Sequence, residues 1–356
     1  MKTGLITDAM AALKRANRWR VTVQSSKHRI EKLRKEHVEI KYLTKEQKRQ
    51  VDAVYKKFGY KYNYLTHVLH YSVTGKFDPS ILPEVMCRTY LEPKLNDSDF
   101  KNVISNKAYF DMLMPDLRFP DTVVRNIAGV LYDTDYNVIS LEKARELTAA
   151  YPKLVFKPSI DSGAGKSVEL VDTAAKDIFS ISKSDYLIQV PIVQHPSMAE
   201  FNSSSVNVVR VITFMMNDEV IPLMSSFRAG GKGNFTDNQS TKDGRGMVIV
   251  GINEDGTLKE TGVFSSGATT DRTEVGTVFA GRKIPKFDEM VALALKSASK
   301  FPNVKLIGWD FVLDANEDII VMEYNCKVPG VLYYQYNNGP MFGSRTEEIM
   351  NYIKSL

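Results

Sequence analysis

Three oxygen-bearing side chains near the carboxyl end of the sequence have the spacing of a metal site. Residues 308–330 read GWDFVLDANEDIIVMEYNCKVPG, in which two runs of β-branched and aromatic residues flank a polar turn. Folding this hairpin about its centre places Asp310 opposite Glu323, and Asn325 lies two residues further along the same face. Two carboxylates and an amide oxygen suit Mg²⁺ rather than zinc. The alternative is an ordinary hairpin with a polar, solvated face.

A glycine-containing loop after a strand is a candidate phosphate site. Residues 154–167 read LVFKPSIDSGAGKS, and the predicted strand ends at Lys157. The loop that follows carries three candidate ligands, Ser162, Gly163 and Gly165. Glycines allow backbone N–H groups to approach phosphate oxygens closely. The segment is not a P-loop, because that motif requires glycine where Ile160 stands, so we expect Lys157 rather than Lys166 to bind phosphate. A plain β-turn is the alternative.

The segment YLIQVPIVQHP, residues 186–196, reads as a buried strand that runs into a proline-punctuated extended stretch. Backbone groups that leave a sheet at a proline are free to bond an adenine edge, which we expect near Val190. Gln189 and Gln194 are expected to add side-chain hydrogen bonds. His195 has no neighbouring cysteine or acid in the sequence, which favours a structural role.

Two arginines on consecutive predicted strands offer rigid forks for phosphate or carboxylate. Arg210 lies in SSSVNVVRVITF, where strand alternation predicts that Asn207 points to the opposite face. Arg228 opens the glycine-rich stretch RAGGKGNFTDNQSTKDGRG, whose composition is typical of a mobile loop over a reactive phosphate. Asn238 and Arg245 are further candidates in that loop. Surface ion pairing is the alternative for these arginines.

The elements that must position these residues follow from the hydrophobic pattern. Residues 1–95 are predicted to be mostly helical, with Thr44 and Gln47 forming a capping box and Gly59 ending that helix. The stretch 74–95 is expected to be a connector, since it is rich in turn residues. The predicted domains are a helical basic region at 1–95, a small α/β unit at 96–150, and a domain at 151–356. Within the last, we expect a nucleotide-clasping subdomain at 151–200 and a metal and substrate subdomain at 201–345.

Composition is ordinary for a globular protein, with 43% hydrophobic and 25% charged residues in a chain of 356. Two cysteines, Cys87 and Cys326, are too few for a disulfide framework or a cysteine-based zinc site. The first residues lack a signal-peptide core, and no apolar run reaches the roughly 18 residues of a membrane span. These features favour the cytoplasm.

Positive charge is concentrated near the start of the chain. The net charge is +5, and residues 11–50 contain thirteen Lys and Arg against four Glu. Such a region could contact an anionic membrane surface, an acidic partner or a nucleic acid. No nucleic-acid-binding motif accompanies it, so we expect no nucleic acid. The alternative is a solvated helix face.

The order of these motifs along the chain resembles the ATP-grasp superfamily. Within it, SSSVNVVRVITF, FRAGGKGNFTDN and EYNCKVPG, followed by Gln335, are similar to the sugar-transfer-associated ATP-grasp family of bacterial polysaccharide gene clusters. The resemblance covers roughly residues 100–345. It implies an α+β fold, the ATP-grasp fold, in which two α/β subdomains clasp ATP, here preceded by the helical, basic region.

The resemblance also implies roles by position. Lys107, in SNKAYFDMLMPD, matches an earlier phosphate lysine of the superfamily, although Asn106 stands where an aspartate is usual. Nucleotide ligands would be Lys107, Lys157, Ser162, Gly163, Gly165, Gln189, Val190 and Gln194. Metal ligands would be Asp310, Glu323 and Asn325, and residues acting on the transferred phosphate would be Arg210, Arg228 and Asn238.

The implied activity is ATP-dependent carboxylate–amine ligation through an acyl phosphate, with ATP and Mg²⁺ as cofactors. The substrate would be a sugar acid or amino acid in the synthesis of bacterial capsule or O-antigen. The implied location is the bacterial cytoplasm, with peripheral contact at the inner membrane face or with polysaccharide machinery. Two alternatives stay open, a phosphotransferase that acts on a hydroxyl and a non-catalytic nucleotide-binding module.

Overall fold

The first third of the chain is helical, as its pattern predicts. The computed structural model describes residues 2–160, 167–237, 246–327 and 330–356. The helices that precede the sheets are α1 (Lys2–Lys35), α2 (Lys45–Tyr55), α3 (Leu65–Thr74), α4 (Glu84–Met86), α5 (Glu92–Leu95), α6 (Ser98–Ile104) and α7 (Phe110–Leu113). The predicted capping box is confirmed, because the Thr44 side chain accepts from the Gln47 N–H and the Gln47 side chain returns to the Thr44 N–H.

The segment 74–95 was expected to be a connector, and this prediction is partly wrong. A π-helical turn, Cys87–Leu91, joins α4 directly to α5, so residues 84–95 are continuously helical. The prolines suggested turns, but Pro83 is the residue before α4 and Pro93 lies in the first turn of α5. Pro83 precedes the helical N–H groups that have no partner within the helix, whereas Pro93 directly follows the π-helical turn, in which the Glu92 N–H bonds Cys87 O.

The first of two antiparallel sheets has the strand order β2–β1–β5–β3–β4. Its strands are β1 (Thr122–Ile127), β2 (Val130–Tyr132), β3 (Lys153–Pro158), β4 (Glu169–Asp172) and β5 (Tyr186–Gln189), and α8 (Leu141–Ala149) packs on β1. Two of these strands precede residue 150 and three follow it. The domain boundary drawn from the sequence at residue 150 therefore divides a single sheet.

The second sheet has seven strands in the order β10–β9–β8–β7–β6–β11–β12. After α9 (Pro196–Ala199) come β6 (Val208–Met216), β7 (Glu219–Ala229), β8 (Val248–Ile252), β9 (Leu258–Phe264), β10 (Thr269–Thr270), α10 (Phe287–Ala298), β11 (Leu306–Leu313), β12 (Ile319–Asn325), α11 (Leu332–Asn338) and α12 (Thr346–Ser355). Strand β9 had not been predicted. Its sequence LKETGVF mixes charged and apolar residues without a clean alternation.

Helices cover both faces of the second sheet. Helix α10 packs on one face with Val209, Val211 and Trp309, in one hydrophobic core. The opposite face carries α11, α12 and the amino-terminal helices, in a second core that includes Ile212 and Phe214. Within the described ranges, the helices are too short or too polar to cross a membrane.

Gln335 connects α11 to the amino-terminal helices on this face of the sheet. Its side chain is fully buried, accepts from the N–H groups of Leu82 at 2.8 Å and Met341 at 3.0 Å, and donates to Leu82 O at 3.1 Å. A residue that sequence resemblance placed beside the candidate site therefore connects the amino-terminal helices to it.

Candidate functional site

A row of directly paired residues crosses three neighbouring strands of the second sheet. Arg210 of β6 pairs with Asp310 of β11, and Asp310 pairs with Glu323 of β12. The predicted pairing of Asp310 with Glu323 is confirmed. Directly opposed residues point to the same face with Cβ atoms about 5 Å apart, so the arginine and the two carboxylates are neighbours. A bulge after Asp310 shifts the register beyond this row.

Asn325 completes the predicted trio. Its Nδ2 lies 3.3 Å from Asp310 Oδ2 and 3.2 Å from Glu323 Oε1. The structure thus brings all three predicted metal ligands together. A group of three or more histidine, cysteine, aspartate or glutamate residues suited to a metal is not found in the described part of the chain. The candidate ligand set is therefore the two carboxylates with the Asn325 amide.

Two arginines hold Asp310. Arg210 Nη2 donates to Asp310 Oδ2 at 2.7 Å, and its Nε donates to Oδ1. Arg228 Nη2 lies 3.0 Å from the same Oδ2. Arg228 belongs to β7, opposite Val208, so it shares the face of Arg210 rather than lying in a surface loop. A cation placed at Asp310 must therefore compete with two guanidinium groups.

Tyr334 of α11 lies against both arginines. Its hydroxyl accepts from Arg228 Nη1 at 3.2 Å, and its ring centroid lies 5.7 Å from the Arg210 guanidinium carbon. Contact of a guanidinium with an aromatic face is stabilising at this separation. Helix α11, which follows the hairpin of β11 and β12, therefore fixes the side chains of Arg210 and Arg228.

Two lysines approach strand β12, which carries Glu323, from outside the second sheet. Lys107 follows α6, and its Nζ lies 3.6 Å from Glu323 Oε2. Lys157 extends from β3 of the first sheet, and its Nζ donates to Met322 O at 3.3 Å. The two lysines proposed from separate sequence motifs therefore meet at β12.

Burial and mutual charge perturb these groups in opposite directions. Burial lowers the pKa of Lys157 to about 8, against the opposing effect of Glu323. Burial alone would raise the pKa of Glu323, but the neighbouring lysines and arginines outweigh it and lower that pKa to about 2. Glu323 is thus an ionised carboxylate at neutral pH, with 27% of its side chain exposed.

A cavity of about 800 Å³ lies between the two sheets and ends at these charges. Its apolar lining residues are Val155, Val168, Val190, Ile192, Val206, Val208 and Met322. Its charged lining residues are Lys157, Arg228, Asp237, Asp310 and Glu323. A cavity with an apolar part and a charged part matches a ligand that has a flat apolar ring and a polyanionic tail.

Gln189 and Val190, which the sequence predicts to lie near the adenine, line this cavity. The Gln189 side chain donates to Pro120 O at 3.3 Å and to Thr122 Oγ1 at 3.0 Å, which ties β5 to the start of β1. The Val190 N–H donates to Asp121 O at 2.9 Å. A base edge could therefore meet only the carbonyl of Val190, not its N–H.

Gln194 is a correction to the sequence prediction, because it is not among the residues that line the cavity. Its amide donates to Asn202 O at 3.4 Å and accepts from the Asn207 N–H at 2.6 Å. The side chain thus fixes the turn that leads into β6. His195 is also structural, since its ring contacts Ser197 Oγ at 2.7 Å and accepts at the start of α9.

Several predicted residues lie outside the described ranges. These are Ser162, Gly163 and Gly165 of the glycine loop, and Asn238 and Arg245 of the loop after β7. Their assigned roles stay predictions.

Asp237 is a site residue that sequence reasoning missed. It lines the cavity, is 8% exposed, and its Oδ2 lies 2.8 Å from Arg228 Nη2. Burial raises its pKa, with Arg228 acting in the opposite direction. Asp237 lies in a polar loop, two residues after Phe235. The sequence there has no periodicity that would have distinguished it from Asn238 or Asp243.

Arg125, a buried arginine that was not predicted as a site residue, helps to position the turn that carries Lys107. Arg125 of β1 is 2% exposed, bonds Asp111, and donates to Thr134 O at 2.8 Å. The Tyr136 hydroxyl donates to Ala108 O at 2.8 Å. These contacts attach the turn that carries Lys107 to the first sheet.

Two antiparallel sheets enclose a cavity lined by Lys157, Arg228 and the facing carboxylates of Asp310 and Glu323, which is the arrangement expected of an ATP-grasp fold. Residues 176–351 match the model of a family described as sugar-transfer associated ATP-grasp. The matched part is just under half of the chain. A comparison with curated proteins gives no match.

Solved structures of ATP-grasp ligases are similar to the chain at low identity. The ligase PsnB complexed with a minimal precursor is 13% identical, with 73% of this chain and 63% of that chain covered and a TM-score of 0.41. D-alanyl-alanine synthetase A from Vibrio cholerae is 12% identical, with 70% and 64% covered and a TM-score of 0.41. PsnB has also been solved with Mg and ADP. The chain spans less than two thirds of the length of these structures.

Proposed function

We propose that the chain is an ATP-dependent carboxylate–amine ligase that uses Mg²⁺ and forms an amide through an acyl phosphate. The observation that carries the proposal is the meeting of Lys107 and Lys157 with Glu323 at the charged end of the cavity. These lysines come from outside the second sheet, whereas the carboxylate belongs to it. A polyanion bound between them would contact both parts of the fold.

The cavity fits ATP in the distribution of its lining groups. Val155, Val190 and Met322 offer apolar contacts for a purine, and Gln189 fixes the strand that carries the Val190 carbonyl. Lys107 and Lys157 lie where the phosphates would extend toward Glu323. Buried lysine amines with too few neighbouring carboxylates are stabilised by a bound polyanion. This effect supports the assignment of a nucleotide to the cavity.

The donor set also fits Mg²⁺. Glu323 is the member best placed to bind a cation, since it is ionised and partly exposed, whereas Asp310 is held by arginines. Asn325 would contribute its amide oxygen once its side chain turns, because its Nδ2 faces the carboxylates in this structure. When bound, Mg²⁺ would neutralise charge on the phosphate oxygens.

The residues of the chain would act mainly by binding and orientation. A substrate carboxylate oxygen attacks the γ-phosphorus, the bond from that phosphorus to the β-phosphate bridging oxygen breaks, and ADP leaves. Arg210 and Arg228 would stabilise the charge on the transferred phosphoryl group. An amine nitrogen then attacks the acyl carbon, phosphate leaves with its bonding electrons, and the amine proton passes to solvent.

The loop after β7 would protect the acyl phosphate. Phe235 and Thr236 line the cavity beside its charged end, and Asn238 follows them in sequence. Acyl phosphates hydrolyse in water, so a cover at this position would favour transfer to the amine. This role accounts for Phe235 and Thr236 lying against charged neighbours.

The matching family is described as sugar-transfer associated, which supports a substrate connected with sugar chemistry. We therefore propose a sugar acid or an amino acid as the carboxylate, in the synthesis of a bacterial surface polysaccharide such as capsule or O-antigen.

The test is a screen for ADP release with ATP and Mg²⁺, in which uronic and amino acids are combined with amines and amide products are detected by mass. A ligase requires both a carboxylate and an amine for sustained ADP release. Release with a hydroxyl compound alone would indicate a phosphotransferase. Nucleotide binding without turnover across the screen would favour a non-catalytic module, and Glu323→Ala provides the inactive control.

A further inference from the structure

Helix α1 is attached to the rest of the molecule along one face. Thr22, Ser26, Ile30 and Leu33 are all less than 7% exposed, and they recur every three or four residues. This spacing places them on a single side of the helix. The face that points away from the molecule is therefore defined by the same periodicity.

Apolar side chains lie on that outward face. Met10 is 52% exposed, Leu13 is 70% exposed and Val21 is 52% exposed. Spacings of three and eight residues place all three within a narrow stripe roughly opposite the buried face. We call Met10, Leu13 and Val21 the outer stripe. Apolar residues scattered singly on a surface need no explanation, but three along one side of a projecting helix form a linear apolar surface.

Cations flank the outer stripe. Lys14 lies on one side of it and Arg20 on the other, and both are exposed. Residues 9–35 contain nine Lys and Arg against one acid, Glu31. Arg29 is turned inward, where it bonds Glu84. By the same periodicity, Arg15 and Arg18 lie toward the buried side. The other cations, Lys27, Lys32, Arg34 and Lys35, add positive charge to the flanks and outer side of the helix, so that the charge extends over roughly 30 Å from Lys14 to Lys35.

We propose that the outward face of α1 docks on an anionic lipid surface, with the outer stripe inserted among the acyl chains and the flanking cations at the headgroups. An apolar stripe with basic residues on both sides is the pattern of helices that lie in a membrane interface. A straight helix also matches a planar partner along its whole length.

The apolar residues distinguish a lipid surface from a nucleic acid. Phosphate contacts would use the cations, but a nucleic acid backbone offers no favourable place for Leu13 and Met10. Stacking on bases would need exposed aromatic rings, and Trp19 is turned toward the half-buried side. The geometry therefore favours lipid, and nucleic acid becomes an outcome of the test.

The test uses the full chain in sedimentation with vesicles of phosphatidylcholine alone, or with about one third phosphatidylglycerol. We expect binding to the anionic vesicles, release near 1 M salt, and little binding to neutral vesicles. Lys14→Gln combined with Arg20→Gln should weaken binding roughly 25-fold, since each cation near such a surface contributes about fivefold. Leu13→Ser should weaken it roughly tenfold at unchanged charge.

The matched control combines Lys56→Gln with Lys153→Gln, which removes two exposed cations elsewhere on the surface. This control should bind anionic vesicles like the unchanged chain. Equal binding to neutral and anionic vesicles, or equal weakening by the control, would overturn the proposal. So would binding that Leu13→Ser leaves unchanged and that single-stranded RNA displaces, since that pattern indicates a general polyanion site. Circular dichroism verifies that each variant retains its helices.

Discussion

Replacing Lys157 by methionine should separate stability from nucleotide binding. Lys157 is 9% exposed, and burial lowers its pKa from 10.5 to about 8. That change corresponds to about 3 kcal/mol against the charged amine in the folded chain. Methionine has a similar length and no charge. At pH 7 the variant should therefore be as stable as the unchanged chain or more stable, by at most about 3 kcal/mol.

The same substitution should weaken ATP binding. A hydrogen bond from a charged amine to phosphate contributes about 2 to 3 kcal/mol, which corresponds to a 30- to 100-fold rise in Kd. Calorimetry measures the affinity, and urea denaturation measures the free energy of unfolding. Lys153→Met is the matched control, because Lys153 lies on the same strand and is exposed. It should change neither quantity.

Two results would refute the reasoning about Lys157. Unchanged ATP affinity in Lys157→Met would show that the amine does not contact the nucleotide. A loss of more than about 2 kcal/mol of unfolding free energy would show that its pairing with Glu323 outweighs the cost of burial. In that case Lys157 would be a structural counter-ion rather than a binding group.

Five further predictions follow from the contacts described above. Glu323→Ala should abolish ADP formation with little change in Tm, because 27% of this side chain is exposed; full activity would contradict its assignment as a metal ligand. ATP affinity should fall as pH rises through about 8, where the folded chain loses the Lys157 proton, and Lys157→Arg should remove that fall in calorimetric titrations. Unfolding free energy should gain a contribution between pH 8 and 10.5, since the unfolded chain binds this proton more strongly there. Mg²⁺ alone should bind weakly and bind more tightly with a non-hydrolysable ATP analogue, because arginines already hold Asp310; calorimetry with and without the analogue measures this. Gln335→Leu should lower the unfolding free energy by about 3 kcal/mol in urea, since it removes three buried hydrogen bonds, and a loss under about 1 kcal/mol would contradict the role of Gln335 in connecting α11 to the amino-terminal helices.

Local patterns were sufficient to predict the hairpin. The alternation of β11 and β12 about a polar turn predicts the hairpin and brings Asp310 near Glu323. The exact pair also depends on the bulge after Asp310, because the register beside the turn would place Asp310 opposite Met322. The Thr44 capping box is equally local. Such features depend on residues a few positions apart, and their partners can be read from spacing.

Contacts between distant segments were not predictable in the same way. The sequence predicted Arg228 on a strand paired with that of Arg210, but not its contact with Asp310, which depends on the β6–β7 register, with a bulge after Ile212, and on the pairing of β6 with β11. Gln194 has the residue type of a nucleotide ligand, but its partners are the backbone of Asn202 and the Asn207 N–H. In both cases the deciding neighbour lies on another element, and composition contains no signal for it.

The arginines and lysines change what the facing carboxylates imply. Two opposed carboxylates require a cation, and the sequence alone suggested a metal ion for that purpose. In the structure Arg210 and Arg228 already balance Asp310, and Lys107 lies near Glu323. These side chains therefore balance the charge of the carboxylates without a metal at this position. A bound triphosphate would share the lysines, leave Glu323 with less compensation, and raise its affinity for a divalent cation. The hairpin is thus best understood as a metal site that forms together with the nucleotide, which links metal binding to the substrate rather than to the fold.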